Sequence, residues 1–377
     1  MKNRNKWILL SIGILLYIGF MVWLNQPKEG DVPTAASQYT FEKAHVTQVI
    51  SDKASEDTWT EGLRLGMQEI LVTIDSGAFR GTELYAVNYL SAYGNVDLKE
   101  GSRIIVRMDV DDQGTPFIVT INGHDRSGML IGMVILFSAL LIGIGGRKGL
   151  SAIVGLAFTI ISIWFFLMPL VQRGVHPIPA SIVLIAITTF VSLVALNGFS
   201  KKTYVAIAGC VGGVTIAGLV ALVAGIMTPI NGFNMSEAEE LVLRAADDGL
   251  LISGLLVSGV LIASLGAVMD VALTISSAIE EMKKIHPKIK TKALFASGIN
   301  IGKDAMGTMA NTLILAFAGA SLNMLLLFRV FDYPYRQIFN SDLMTIEIMQ
   351  GLAGSIGIVL TVPLVAALGA SVYGSKK

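Results

Sequence analysis

Apolar positions in this chain follow two regimes. After residue 127 they form runs of about 20 residues separated by short polar connections. Runs of that length match the roughly 30 Å hydrocarbon thickness of a bilayer. With one more run near the start they predict about eight spans, at about 7–24, 128–145, 150–171, 178–197, 203–226, 250–268, 306–328 and 351–372. Between residues 39 and 125 the pattern instead alternates every second residue: Ala44, Val46, Val49; Ile70, Val72, Ile74; Leu84, Ala86; Ile104, Val106; Phe117, Val119, Ile121. Such alternation, punctuated by Gly77, Gly81, Gly94, Gly101 and Gly114, predicts about five short strands.

The predicted fold is therefore mainly α. A polytopic helical membrane bundle carries a small extracytoplasmic β-rich domain, for which an OB-like barrel fits the number of strands. Residues 1–24 form a membrane anchor and residues 25–38, with Pro27, Gly30 and Pro33, a linker. The β-rich domain covers 39–125, and 127–377 a seven-helix domain.

Composition agrees. Of 377 residues 53% are hydrophobic and 15% charged, against about 25% charged in soluble domains. Net charge is zero, so no basic footprint for nucleic acid exists. The lone Cys210 lies in an apolar run and reads as a packing residue, without disulfide or zinc chemistry. The first span has a basic start (Lys2, Arg4, Lys6). It exceeds the usual signal-peptide core of about 7–15 residues, and no cleavage site directly follows, so it reads as an uncleaved anchor. Trp7 and Trp23 bracket it, as aromatic residues do at the two interfaces.

Charge orients the spans. With the N-terminus inside, the inner connections hold Arg147, Lys148, Lys201, Lys202, Lys283, Lys284, Lys288, Lys290, Lys292, Lys303, Lys376 and Lys377. The short outer loops hold only Arg173, Arg244, Arg329 and Arg336. Positive residues stay inside, so both termini are expected in the cytoplasm and residues 25–126 outside it.

Catalytic and nucleotide-binding motifs are absent: there is no GxSxG, HExxH or P-loop. His45 and His124 read as surface or turn residues, and His176 and His286 fall in loops on opposite sides of the membrane. No metal or cofactor is called for. Ser236, three residues before Glu239, is a capping-box signature for a short helix at about 237–247 in an acidic outer loop (Glu237, Glu239, Glu240, Asp247, Asp248). Gly209 and Gly213 suit helix packing within the chain, and Pro169, Pro229 and Pro363 predict kinks or breaks.

The most informative stretch is 250–312. From Leu250 to Ile285 the pattern stays helical for 36 residues without proline, roughly 54 Å if continuous and longer than a bilayer needs. Asp270, Thr274, Ser277, Glu281 and Lys284 share one face of it, extended backwards by Gly259, Ala263 and Gly266. The next helix repeats the design with Asn300, Asp304, Gly307 and Asn311. Polar groups at membrane depth face a bundle interior or a water-filled cavity. Asp270, Thr274, Ser277, Asn300, Asp304 and Asn311 are therefore the candidates for a polar pathway or ion site, and the two stripes flank one cytoplasmic connection, a placement that allows them to face each other. Solvated aspartates in the headgroup region are the plainer alternative.

These same stretches carry a resemblance. Gly266-Ala267-Val268-Met269-Asp270-Val271-Ala272, then Ser276-Ser277-Ala278, and the segment from Gly302-Lys303-Asp304 through Asn311 to Ala316 resemble the signature segments of YibE/F-like bacterial membrane proteins. The likeness covers roughly 127–370, with Lys303 where arginine is expected. It implies a multi-pass protein of the bacterial cell membrane and assigns no reaction. The expectation is a secondary transporter or channel component acting on a solute or ion. A scaffold or accessory subunit, binding a protein or envelope partner through its external domain, is the alternative. An enzyme using Asp270 and Asp304 as a carboxylate pair lacks a recognisable motif.

Overall fold

The computed structural model describes residues 2–26, 39–111, 116–236, 238–245 and 250–374. Most of the expected linker, and Gly114, Glu237, Asp247 and Asp248, fall outside them. The chain divides into two compact units, one of residues 27–140 and one of residues 1–26 with 141–377.

In the first unit the strands are β1 (Tyr39–Asp52), β2 (Ser55–Glu56), β3 (Arg64–Ile74), β4 (Glu83–Leu90), β5 (Arg103–Val110) and β6 (Pro116–His124). All pairs are antiparallel, in the order β2-β3-β1-β5-β6, with β4 on β3. The long β1 is the spine: Ala44 stands opposite Ile74 on one side and Ile104 on the other. Register shifts at Val46/Gln48 and Val49/Ser51 bend it, and the sheet curls until β4 approaches β6 as a half-barrel. Its concave face is the alternating set read from the sequence: Ala44, Val46, Ile70, Val72, Ile74, Ala86, Ile104 and Val106, all buried. Phe117 is the exception. It was expected to point inward with Val119 and Ile121, but it is exposed, because β6 is an edge strand that packs only through the latter two.

Polar groups continue the inner face of β3. Gln68, 1% exposed, donates to Asp52 Oδ2 at 3.0 Å and to the Leu98 carbonyl at 3.1 Å. Its Oε1 accepts from Leu98 N and Asn88 Nδ2. Arg64 closes this network by bridging Asp52 and Asp97. Each buried polar atom thus replaces the water it lost.

The second unit is helical. Its elements are α1 (Lys2–Leu24), α2 (Ser127–Ser162, entering this unit at Leu141), a π-helical turn (Ile163–Leu167), α3 (Met168–Gln172), α4 (Pro177–Asn197) and α5 (Lys201–Met227). Beyond these lie α6 (Ala238–Ala245), α7 (Leu255–Ile285), α8 (Thr291–Ala320), α9 (Leu322–Val330), α10 (Tyr335–Phe339) and α11 (Asp342–Tyr373). Six helices among the described residues are long and apolar enough to cross a membrane, and seven if α8 and α9 count as one bent span. Leu315, Leu326, Ile144 and Ile226 are among many exposed large apolar side chains, a surface suited to lipid and not to water.

Three departures from the predicted spans have local causes. The spans at 128–145 and 150–171 merge into one apolar run, Ser127–Gln172, interrupted at Gly146 by non-helical dihedrals (φ 55°, ψ −132°). Only glycine adopts that conformation without strain, and it turns the chain back so that Gly149 abuts the Leu141 carbonyl. The span expected at 306–328 is two helices, α8 and α9, bent by 55° where the Ser321 hydroxyl bonds back to the Phe317 carbonyl. The last helix begins nine residues before the expected 351, capped by Ser341, whose side chain accepts from Met344 N. Pro169 opens α3 after the π turn, and Pro363 lies inside α11.

The core of this unit gathers α5, α7, α8 and α11. Glycines set the approach. A Cβ on Gly213 would stand 3.0 Å from Val268 Cγ1 of α7 and would strike Thr361 of α11, while one on Gly209 would strike Val365. In a lipid solvent close packing replaces the hydrophobic effect as the driving force, so small residues mark these interfaces. Cys210 is buried among them.

Candidate functional site

The glycine steps decide which way the polar stripes face. On α8 the buried positions are Leu294, Gly298 and Gly302. A Cβ on Gly298 would lie 3.0 Å from Ala366 Cβ and 3.1 Å from Ile279 Cδ1; on Gly302 it would lie 2.9 Å from Ile275 Cδ1 and strike Val362. That face of α8 is pressed onto α7 and α11. Each helical residue turns by about 100°, so Asn300, Asp304 and Asn311 lie on the far side, and all three are exposed.

The same holds for α7. Val268, Val271, Ala272, Ile275 and Ile279 are buried in the core, whereas Asp270 and Thr274 are exposed and Ser277 is half-buried. Both stripes therefore face outward. The faces of α7 and α8 that meet are apolar and glycine-stepped, because those allow the closer approach. Among the described residues no hydrogen bond or ion pair engages the side chains of Asp270, Asn300, Asp304 or Asn311. Thr308 and Thr312, by contrast, satisfy their hydroxyls on the carbonyls of Ala305 and Thr308.

A further set of polar groups lies where α11 meets α7 and α8. The Ser355 hydroxyl donates to the Ala310 carbonyl of α8 at 3.4 Å. Gln350 Nε2 lies 3.8 Å from where a Cβ on Gly259 of α7 would be. Glu347 is half-buried, and its Oε2 is buried without a hydrogen-bond partner. Sequence reasoning missed Glu347 and Gln350 because it began the last span at 351, and it did not single out Ser355 within that span. The legible signal was a carboxylate at 347 in helical register, spacing 4 and 3, with Gly351 and Gly354, which pack on Phe317 and Leu313 of α8.

No cluster of metal-ligating side chains is present among the described residues. His45 pairs with Asp75 at 2.9 Å on the sheet's surface.

Residues 133–375, well over half of the chain, match the YibE/F-like protein family. The chain belongs to the YibE/F-like family. Its family region contains both outward-facing stripes and the α11 seam. Together with the apolar helices, this membership supports a transmembrane protein. No curated protein and no solved structure matches the chain.

Proposed function

We propose that this YibE/F-like protein is a membrane transport component whose polar path runs along the outward stripes of α7 and α8. One observation carries the reading: Asp270 and Thr274 on α7, and Asn300, Asp304 and Asn311 on α8, all stand exposed on helices whose other faces are packed. A carboxylate or amide facing lipid is expensive, so such a stripe borders water or another protein surface. In this reading the path is closed from outside the α5–α7–α8–α11 core, and Asp270 and Asp304 attract a cation or hydrogen-bond a polar solute. The helix breaks at Gly146 and Ser321 and the proline inside α11 suit a transporter. In this reading both termini and the basic loops lie in the cytoplasm of a bacterial cell and residues 25–126 outside it, the arrangement that the basic inner connections favour. The strand order and the approach of β4 to β6 suit an OB-like barrel.

The test is flux in proteoliposomes across a panel of ions and small polar solutes. The expected result is a flux that falls at least tenfold in the Asp270→Asn/Asp304→Asn double variant at unchanged folding. A double variant with full flux, or no flux for any member of the panel, overturns the proposal.

A second reading, a scaffold that holds a partner through the external domain, draws on the sheet's exposed aromatic residues. Tyr85 and Tyr89 stand opposite Leu71 and Met67, and Tyr93 and Trp59 are almost fully exposed. Aromatic patches of this kind mark binding surfaces. Loss of cellular function on deleting 39–125, with flux intact, favours it.

A further inference from the structure

The helical unit carries a groove that the polar stripes do not touch. It has a volume of about 580 Å³ and runs between α1, α4, α5 and Phe158 of α2. Its walls are apolar, with Leu10, Ile14 and Phe190 among them, and Lys6 and Tyr204 stand at one end. The Lys6 ammonium lies 5.7 Å from the centre of the Phe199 ring, and Trp7 packs edge-on to the same ring at 5.3 Å. Lys201 opens α5 at this end of the groove. The lining reaches Tyr17, eleven residues further along α1, or roughly 16 Å at ~1.5 Å per residue. That is about half of the ~30 Å hydrocarbon thickness, the depth of one leaflet.

We infer that this groove binds one anionic phospholipid, its acyl chain lying along α1 and its headgroup phosphate on Lys6. Three features select that occupant. The apolar length matches one leaflet, so a single tail fills it from interface to midplane. The cation sits at the interfacial end, where a phosphate oxygen is in reach and an amphipathic ring such as Tyr204 adds a hydroxyl. Basic pockets between membrane helices are recognised lipid-headgroup sites. The lining holds no acidic side chain, so Lys6 has no counter-ion within the groove and an anionic headgroup supplies one.

Gly13 gives a clean probe. It lines the groove, and a Cβ there meets nothing within 4 Å, so Gly13→Phe projects a ring into the tail's seat. Lys6→Gln removes the cation that meets the headgroup and leaves the seat open.

The experiment is native mass spectrometry of the full-length protein released from detergent after titration with phosphatidylglycerol or, separately, phosphatidylethanolamine. The wild-type protein is expected to retain one phosphatidylglycerol at least fivefold more than phosphatidylethanolamine. Lys6→Gln should erase that preference, and Gly13→Phe should cut retention of both lipids at least fivefold. Circular dichroism checks that both variants stay helical. Equal retention of the two lipids by the wild-type protein, or undiminished retention by folded Gly13→Phe, overturns the inference. So does a mass of two chains in which Gly13→Phe restores the monomer, since the groove would then seat a second copy.

Discussion

Gly302 and Asp304 stand on opposite sides of one helix: the first is buried against Ile275 and Val362, the second is exposed. Two residues turn a helix by about 200°, so the tightest contact of α8 and its carboxylate are kept apart by geometry. Substitutions on the two faces should behave differently. Gly302→Val overpacks the α7–α8–α11 contact and should destabilise the bundle by about 1–3 kcal/mol. Gly307, on the polar side, has open space around its Cβ direction, and Gly307→Ala should leave the thermal midpoint of the detergent-solubilised protein unchanged or slightly raised. A lowered midpoint for Gly307→Ala with Gly302→Val unchanged would show that α8 is seated the other way round.

The turn at Gly146 should be as selective. An alanine there must adopt a positive φ or straighten the run Ser127–Gln172, which would then reach roughly 69 Å, more than twice a bilayer's core. Gly146→Ala should therefore cost about 1–3 kcal/mol in strain and lower the yield of folded protein in the membrane. Gly143→Ala, at a helical position with nothing within 4 Å, should be neutral or slightly stabilising. Folded yield by fluorescence-detected size exclusion separates the two outcomes.

Gln68 sits on the same inner face of β3 as Ile70, Val72 and Ile74, and holds the chain around Leu98 in place through both ends of its amide. Gln68→Leu keeps the volume but orphans the Leu98 N–H and removes an acceptor from Asn88. Each orphaned buried group costs about 1–3 kcal/mol. Denaturant unfolding should show the sheet destabilised by about 2 kcal/mol or more, with the helical signal unaffected at low denaturant.

Acid should loosen the sheet. Hydrogen bonds from Arg64, and then from the Ala54 amide and Gln68, hold the Asp52 carboxyl below its usual value of 3.8. The Ser127 hydroxyl and amide, then Lys43, lower Asp125 to about 2. Folding depresses both values, so their stabilisation is complete above the unfolded value near 4. It is lost as pH falls through the folded values. Amide protection in β1 and β3, corrected for intrinsic exchange, should be flat from neutral pH to about 4 and fall toward pH 2. Asp52→Asn and Asp125→Asn should each weaken protection at neutral pH and reduce that acid-dependent loss.

The sequence by itself determined the elements and the family. Apolar run lengths set against bilayer thickness located the helices, and two-residue alternation found the inner face of the sheet down to individual residues such as Ile70 and Ile104. Both are local periodicities, written in side-chain polarity. The polar stripes were legible for the same reason, as faces of single helices. What lay beyond them was not: which face of α8 meets α7 depends on where neighbouring backbones approach most closely, and Gly298 and Gly302 matter only because Ile275, Ile279 and Val362 stand opposite. Polarity marked Asp270 and Asp304 but did not fix whether they meet. Packing turned both outward, because in a membrane the closest steric fit, and not polarity, decides which helix faces join.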